Sequence, residues 1–344
     1  MRACVLHGIN DLRYEEVKTP VPVAGEVLLH IRAAGICGSD IGRVFHKGTY
    51  HFPTIPGHEF AGEIIAVGEG VDAGLIGKRA AVFPLLPCFS CPACQVGEYA
   101  QCEQYDYYGS RRDGGFAEFL CVKQWNLVMV PDDLSLEEAA MCEPVAVAIH
   151  ALSKAGVGFG DTVTIFGAGA IGITLAKIAR AWGAGQVILA DIDQNKLNFA
   201  ARINCGQCIN NKTADAANTI MKLTNGRGSD ITIEGTGAGA ALADCLKSAA
   251  VFGRVVLMGN PLGDIEIPQK AYWEILRKQL SLTGTWNSSY TGIRNDWQKA
   301  IAAMPGLNLS ELITHRFDFE KCNEAFDVLK RREDFALKVM FTNL

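Results

Sequence analysis

The sequence predicts an α/β chain of two domains, one β-rich and one built on a doubly wound parallel sheet. Three observations carry that reading. The chain has 344 residues, too many for one compact core of ordinary size. Its texture changes near residue 150, from short β-branched runs broken by Gly and Pro to a regular alternation of strands and helices. Within the second texture, "VTIFGAGAIG" sets Gly167, Gly169 and Gly172 in a GxGxxG pattern between an apolar strand and an apolar helix.

Taken in order, "EVLLHIRAAGI", "GEIIAVG", "RAAVFPLLP" and "FAEFLCV" read as the short strands of the β-rich part. From about 161 to 284, "TVTIFG" leads into an Ala-rich helix that stops at Gly183, and "QVILAD" leads into a helix through "QNKLNFAARI". Then "CIN", a helix through "AANTIMKLT", "DITIEG", a second Ala-rich helix and "RVVLMG" follow. The tail reads as helices with a final "ALKVMFT" strand. The expected boundaries are 1–150 with 285–344 for one domain and 151–284 for the other. Gly156, Gly158 and Gly284 are the natural hinge points.

Composition narrows the partners. Hydrophobic residues make up 49% and charged residues 20%, ordinary for a globular protein that buries a full core. The net charge of −5 offers no general attraction to a phosphate backbone or an anionic lipid surface. No nucleic-acid or membrane partner is expected, and an anionic ligand would need a local cationic cluster. The N-terminus lacks the apolar region of a signal peptide, and "VTIFGAGAIGITLAKIA" is too short and too polar to span a bilayer. Twelve cysteines without a secretion signal point to a reducing cytoplasm, with clustered thiols on metal and scattered ones packed as small apolar residues. Cys4, Cys121, Cys205, Cys208, Cys245 and Cys322 belong to the scattered class.

The glycine-rich turn has the context that its pattern alone would lack. Gly167 allows the tight turn, Gly169 lets a pyrophosphate approach the backbone, and Gly172 lets helix and strand pack closely. Ala170 and Ile171 open the helix whose N-terminus would meet the phosphate charge. Nineteen residues after Gly172, at the end of the next strand, Asp191 stands where a carboxylate would grip the adenosine ribose hydroxyls. With Asp193 following and no Arg beside them, a 2′-phosphate would face two carboxylates, so NAD is expected rather than NADP. Lys196 is a candidate contact for the adenosine or an idle helix residue.

Cys88, Cys91, Cys94 and Cys102 are spaced to close a tetrahedron around zinc. Four thiolates leave no open position, so this site is structural and the chemistry lies elsewhere. A nucleic-acid zinc ribbon is the other use of such spacing, and the acidic balance argues against it.

A second, mixed set is Cys37 in "AAGICGSDI", His58 and Glu59 in "PTIPGHEFAG", and Glu143 in "CEPVAVAIH". Thiolate, imidazole and carboxylate together suit zinc and can leave a position open. Taken singly, Cys37 or His58 is more often a packed core residue, and spacing does not reveal the set. With the GHE step, the four-cysteine lobe, the Glu-Pro step and the glycine-rich turn in this order, the whole chain resembles the zinc-dependent medium-chain alcohol/polyol dehydrogenases. The resemblance implies a GroES-like catalytic domain built from both chain ends with a Rossmann NAD-binding domain inserted, and two zinc ions per chain, one catalytic and one structural. It implies Cys37, His58 and Glu143 as catalytic zinc ligands and Glu59 as an acid that ligates or trades places with water. Cys142 rivals Glu143, and the Glu-Pro step favours Glu143.

The resemblance also implies Ser39 as the inner hydroxyl of a proton relay. Many relatives carry a His five residues after the first ligand; here that position is Gly42, so the proton leaves through the cofactor ribose and water or another group. The reaction implied is oxidation of a secondary alcohol of a small polyol with hydride transfer to NAD. The runs "PLLPCFSCPACQVGEYAQCEQYDYYGSRRDGGFAEF" and "GTWNSSYTG" resemble members acting on a phosphorylated hexitol, and Arg111 and Arg112 are candidates for the phosphate. An unphosphorylated polyol or a sugar acid is the alternative substrate, and a non-catalytic relative with a broken metal site is the alternative class. A homodimer, or else a tetramer, is expected.

Overall fold

A computed structural model describes residues 1–331 and 335–342. The chain divides into two compact units, residues 1–146 with 289–344 and residues 147–288.

In the first unit, the ten-residue strand Glu26–Gly35 is the axis of a seven-stranded sheet. Its apolar residues Val27, Leu29 and Ile31 are fully buried, as the period of two requires for one covered face. Strand Glu59–Val67 pairs antiparallel on one side, with Glu59 opposite Gly35. Strand Lys338–Thr342 pairs antiparallel on the other, with Met340 opposite Gly35. The two flanking strands therefore bring His58, Glu59 and Lys338 to the end of the axis strand, where the chain turns into Cys37. Phe116 packs edge-on to Phe341, 5.1 Å between ring centroids, and both are fully buried. Each such ring contributes about 1.5–3 kcal/mol by leaving water. The tail holds one strand more than its sequence suggests. Ile313–Phe317 pairs parallel with Lys338–Thr342 at the sheet edge, and its polar residues Thr314, His315 and Arg316 conceal the strand pattern.

The second unit is a six-stranded parallel sheet. From one edge its strands run Gln207–Asn210, Gln186–Asp191, Thr162–Phe166, Ser229–Glu234, Ala249–Leu257 and Ser281–Gly284. Strand order reverses between Thr162–Phe166 and Ser229–Glu234, and nucleotides bind at the carboxyl edge of such a switch point. Phe166, Ile188, Leu246 and Val255 are fully buried in its core. This is the GroES-like plus Rossmann α/β fold class. No helix of the described residues is long and apolar enough to cross a membrane.

Candidate active site

The glycine-rich turn is built by three different constraints. Gly167 has φ +108°, a left-handed value that a side chain resists. Gly169 caps the helix Ala170–Ala181 with no side-chain hydrogen bond, and a Cβ there would meet nothing, so the backbone stays open to a ligand. A Cβ on Gly172 would overlap the Gly167 carbonyl, which enforces glycine for helix–strand packing. Ala170 and Ile171 form the first helical turn. Asp191 ends its strand with Oδ2 accepting from the Ala168 N–H at 2.7 Å and Oδ1 accepting from the Asp193 N–H at 2.8 Å. Each oxygen keeps a lone pair for a ribose hydroxyl. Asp193 is the N-cap of helix Gln194–Arg202, accepting from Asn195 N–H at 2.9 Å. Lys196 Nζ lies 3.9 Å from Asp191 Oδ2.

The four lobe cysteines converge, with all four sulfurs within 4.8 Å of one another. Cys88 Sγ accepts from the Cys91 N–H at 3.3 Å, and Cys102 Sγ from the Cys88 N–H at 3.3 Å. Hydrogen bonds from Ser90 and the Cys91 N–H bring the Cys88 thiol down to about 6, so it is poised as thiolate, while burial pushes Cys94 up to about 12. All four are free thiols. Such a set fits a closed, structural zinc.

Cys37, His58 and Glu59 form the second group, again with one donor atom from each within 4.8 Å of the others. Gly57, at φ +97°, turns the chain ahead of His58, and a Cβ there would run into the Phe116 ring. Cys37 caps the short helix Gly38–Gly42, and its N–H donates to Asp40 Oδ2 at 3.0 Å. Asp40 is fully buried and also accepts from Arg43 Nη1 at 2.7 Å. Its Oδ1 stands 3.4 Å from His58 Nδ1, and that buried nitrogen has no hydrogen-bond partner among the described residues. Burial pushes the Asp40 carboxyl up, yet His58, Arg43 and the Cys37 N–H outweigh it and hold it at about 2. A carboxylate behind one imidazole nitrogen fixes the ring so that the other faces a metal.

Glu143 lies in the first turn of helix Cys142–Ala155, where Pro144 is tolerated because its missing N–H has no helical partner to lose. It is buried, and its carboxyl rises to about 7 through burial and the charges of Glu59 and Asp40, against the pull of His58 and Lys338. Its oxygens fall outside the compact group of three. Cys142 turns away, its Sγ 3.8 Å from the Trp297 carbonyl.

Three residues escape the sequence reading. Asp40 is signalled only by lying three residues past Cys37. Arg43 joins Ser39 to Asp40 through one nitrogen, Nη1, which donates to Ser39 Oγ at 2.9 Å. Lys338 is fully enclosed, donates to the Ile36 carbonyl at 3.3 Å and pairs with Glu59. A lone cation in the apolar run "ALKVMFT" was its signal. The patch thus gathers a thiol, an imidazole and carboxyl groups, from Cys37, His58, Glu59 and Glu143, with Asp40 behind the imidazole and Lys338 behind Glu59. Sulfur, imidazole nitrogen and carboxylate oxygen converging in one buried patch are the mixed donor set that fits a divalent zinc.

Known proteins resemble this chain over most of its length. Residues 23–132 match the family model "Alcohol dehydrogenase GroES-like domain", and residues 170–305 match "Zinc-binding dehydrogenase". The chain is 36% identical over 314 residues to galactitol 1-phosphate 5-dehydrogenase of Escherichia coli K12, covering 90% of this chain and 91% of that one. It is 33% identical to the sorbitol dehydrogenase of Bacillus subtilis 168, covering 99% and 96%. The crystal structure of galactitol-1-phosphate dehydrogenase from Escherichia coli superposes with a TM-score of 0.93 at 35% identity, covering 99% and 100%. An alcohol dehydrogenase from Escherichia coli CFT073, solved with NADH, gives a TM-score of 0.91 at 29% identity, covering 99% of each chain. Family models on both units, and relatives aligned along nearly the full length, lead to one conclusion: the chain belongs to the zinc-type alcohol and polyol dehydrogenases.

Proposed function

We propose that the protein is a cytoplasmic, NAD-dependent dehydrogenase that oxidises a secondary alcohol of a polyol phosphate, galactitol 1-phosphate to tagatose 6-phosphate. The observation that carries the chemistry is the convergence of Cys37, His58 and Glu59, three donor types within 4.8 Å. With Glu143 beside them, these residues would hold a catalytic zinc, and Cys88, Cys91, Cys94 and Cys102 a structural one. A zinc in this site would act as a Lewis acid that makes a substrate hydroxyl more acidic, as zinc brings the pKa of water down to about 7.

The chain's own groups do the rest. Ser39 Oγ accepts the hydroxyl proton of the substrate while its own O–H donates outward. Ser39 is solvent-exposed, which supports direct release of the proton to water and answers the absence of a histidine at Gly42. Arg43 holds Ser39 Oγ in place, so the relay oxygen needs no search for its orientation. Asp40 orients His58, and Lys338 anchors Glu59. The glycine-rich turn and Asp191 would bind and orient NAD, whose nicotinamide would supply the hydride acceptor.

The phosphorylated substrate is supported by the 36% identity to galactitol 1-phosphate 5-dehydrogenase. The 33% identity to a sorbitol dehydrogenase over nearly the whole chain favours a second reading, an unphosphorylated polyol. Steady-state turnover of galactitol 1-phosphate, galactitol, sorbitol and a sugar acid, each with NAD and with NADP, separates them. The proposal expects the highest kcat/KM for galactitol 1-phosphate with NAD. Equal kcat/KM with and without the phosphate would sink the polyol-phosphate reading and leave the polyol one.

A further inference from the structure

The neighbouring arginines singled out in the sequence have different surroundings. Arg112 is engaged: its Nε donates to Asp106 Oδ2 at 2.6 Å, and its guanidinium lies over the Tyr108 ring. Arg111 has no carboxylate partner among the described residues. Its guanidinium carbon sits 4.3 Å from the centroid of the Tyr50 ring and 4.2 Å from that of Tyr105. Two aromatic faces therefore hold the planar cation, and only Nη2 is hydrogen-bonded, to Tyr50 Oη at 3.3 Å. The backbone is pinned as well. Arg111 N–H donates to the Tyr107 carbonyl at 3.0 Å, and the Arg111 carbonyl faces His51 Nε2 at 3.1 Å. The nearby Asp113 carboxylate accepts from the Ile55 N–H at 2.9 Å and makes no ion pair with Arg111 among the described residues.

The position matters as much as the charge. Tyr105 meets Tyr107 edge to face at 6.2 Å, and Tyr107 lies 5.9 Å from the His58 ring. Two ring contacts thus connect the stacked cation to the imidazole of the candidate metal group. Stacking fixes the plane of a guanidinium and leaves its edge for a bidentate oxyanion. In a chain of net charge −5, a local anion site would need such a cation, held in one plane and without a carboxylate partner among the described residues.

We infer that Arg111, clamped between Tyr50 and Tyr105, is the anchor for the phosphate of the substrate, and that Arg112 is a structural partner of Asp106. This rests on the polyol-phosphate reading above and assigns its specificity to one side chain. The phosphate of a 1-phosphohexitol lies several carbons from the hydroxyl oxidised at C5, so the anchor belongs near the metal group and outside it.

The test measures, on the zinc-loaded enzyme, the ratio of kcat/KM for galactitol 1-phosphate to that for galactitol. Arg111→Ala is expected to lower that ratio roughly 10- to 100-fold, the usual loss for a charge-assisted pair. Arg111→Lys should fall between, because an ammonium keeps the charge and loses the stacked plane. Arg112→Lys should leave the ratio as in the parent. Inorganic phosphate, as a competitive inhibitor, should bind the parent more tightly than Arg111→Ala. A parent that prefers the phosphorylated substrate and keeps that preference in Arg111→Ala overturns the inference and leaves the reading standing. A ratio that falls in Arg112→Lys instead assigns the anchor to the wrong arginine. A parent with no phosphate preference sinks the substrate reading, and phosphate inhibition that ignores Arg111 then removes the anion site as well. An Arg111→Ala loss confined to sugar acids would make the site a carboxylate site and overturn the assignment.

Discussion

Lys338 closes an ion pair on Glu59 across 279 residues of sequence, with both side chains almost wholly excluded from water. Gly35 makes the pair possible: a Cβ there would stand 2.5 Å from Glu59 Oε2 and 3.5 Å from Lys338 Nζ. Breaking a buried pair from one side leaves the other charge stranded, at about 3–5 kcal/mol, whereas removing both is far milder. Lys338→Met should therefore lower unfolding stability by roughly that amount. Lys338→Met with Glu59→Gln should recover most of it. A urea titration of the parent, the two single variants and the double variant reads the coupling. Additive losses would mean that the two groups act independently.

Asp40 has a double duty, facing His58 with one oxygen's charge while pairing with Arg43. Replacing such an outer carboxylate costs metal affinity about 10- to 100-fold. Asp40→Asn keeps the shape and loses the anion facing His58 Nδ1, so the catalytic zinc should dissociate at a correspondingly lower chelator concentration. The lobe zinc, held by its own four thiols, should be unaffected. Chelator competition followed by a zinc-sensitive dye gives both dissociation steps. An unchanged first step would show that Asp40 does not support the ring.

The four-thiol lobe and the open group should separate cleanly by metal count. Cys94→Ser is expected to lower bound zinc from about two per chain to about one and to depress thermal stability, because the lobe loses its cross-link. Cys37→Ser should lower the count similarly while abolishing turnover and leaving the lobe folded. Elemental analysis beside circular dichroism and activity distinguishes the two. Equal loss of activity with equal loss of fold in both variants would contradict the division of roles.

How much of this was legible depends on how local each feature is. The glycine-rich turn, its strand, its helix and Asp191 occupy one contiguous βαβ stretch, so periodicity and motif were enough. The lobe cysteines lie within fifteen residues, from Cys88 to Cys102, and their spacing spoke for itself. Cys37 and His58 are joined only by the antiparallel register that sets Glu59 opposite Gly35, and no local pattern encodes that pairing. Family resemblance supplied it. Lys338 reaches the site from the last strand, so its role was hidden until the two chain ends met in one sheet. Ile313–Phe317 was missed because an edge strand of mixed polarity carries no alternation to read.

Asp191 is asked to do two things, and two variants can tell them apart. Its Oδ2 holds the Ala168 N–H in the glycine-rich turn, and its charge at the strand end is proposed to select ribose hydroxyls over a 2′-phosphate. Asp191→Ala removes both functions: the turn loses an anchor and the repulsion toward a 2′-phosphate goes. Asp191→Asn keeps an oxygen for Ala168 N–H and discards the charge. If charge sets cofactor choice, both variants should shift the ratio of kcat/KM for NAD over NADP toward NADP by about tenfold or more, the scale of a charged hydrogen bond. If the turn sets affinity, KM for NAD should rise far more in Asp191→Ala than in Asp191→Asn. Steady-state kinetics with each cofactor, at saturating polyol, measures both quantities at once. A parent enzyme that already uses NADP as well as NAD would refute the role given to this carboxylate, whatever its variants do.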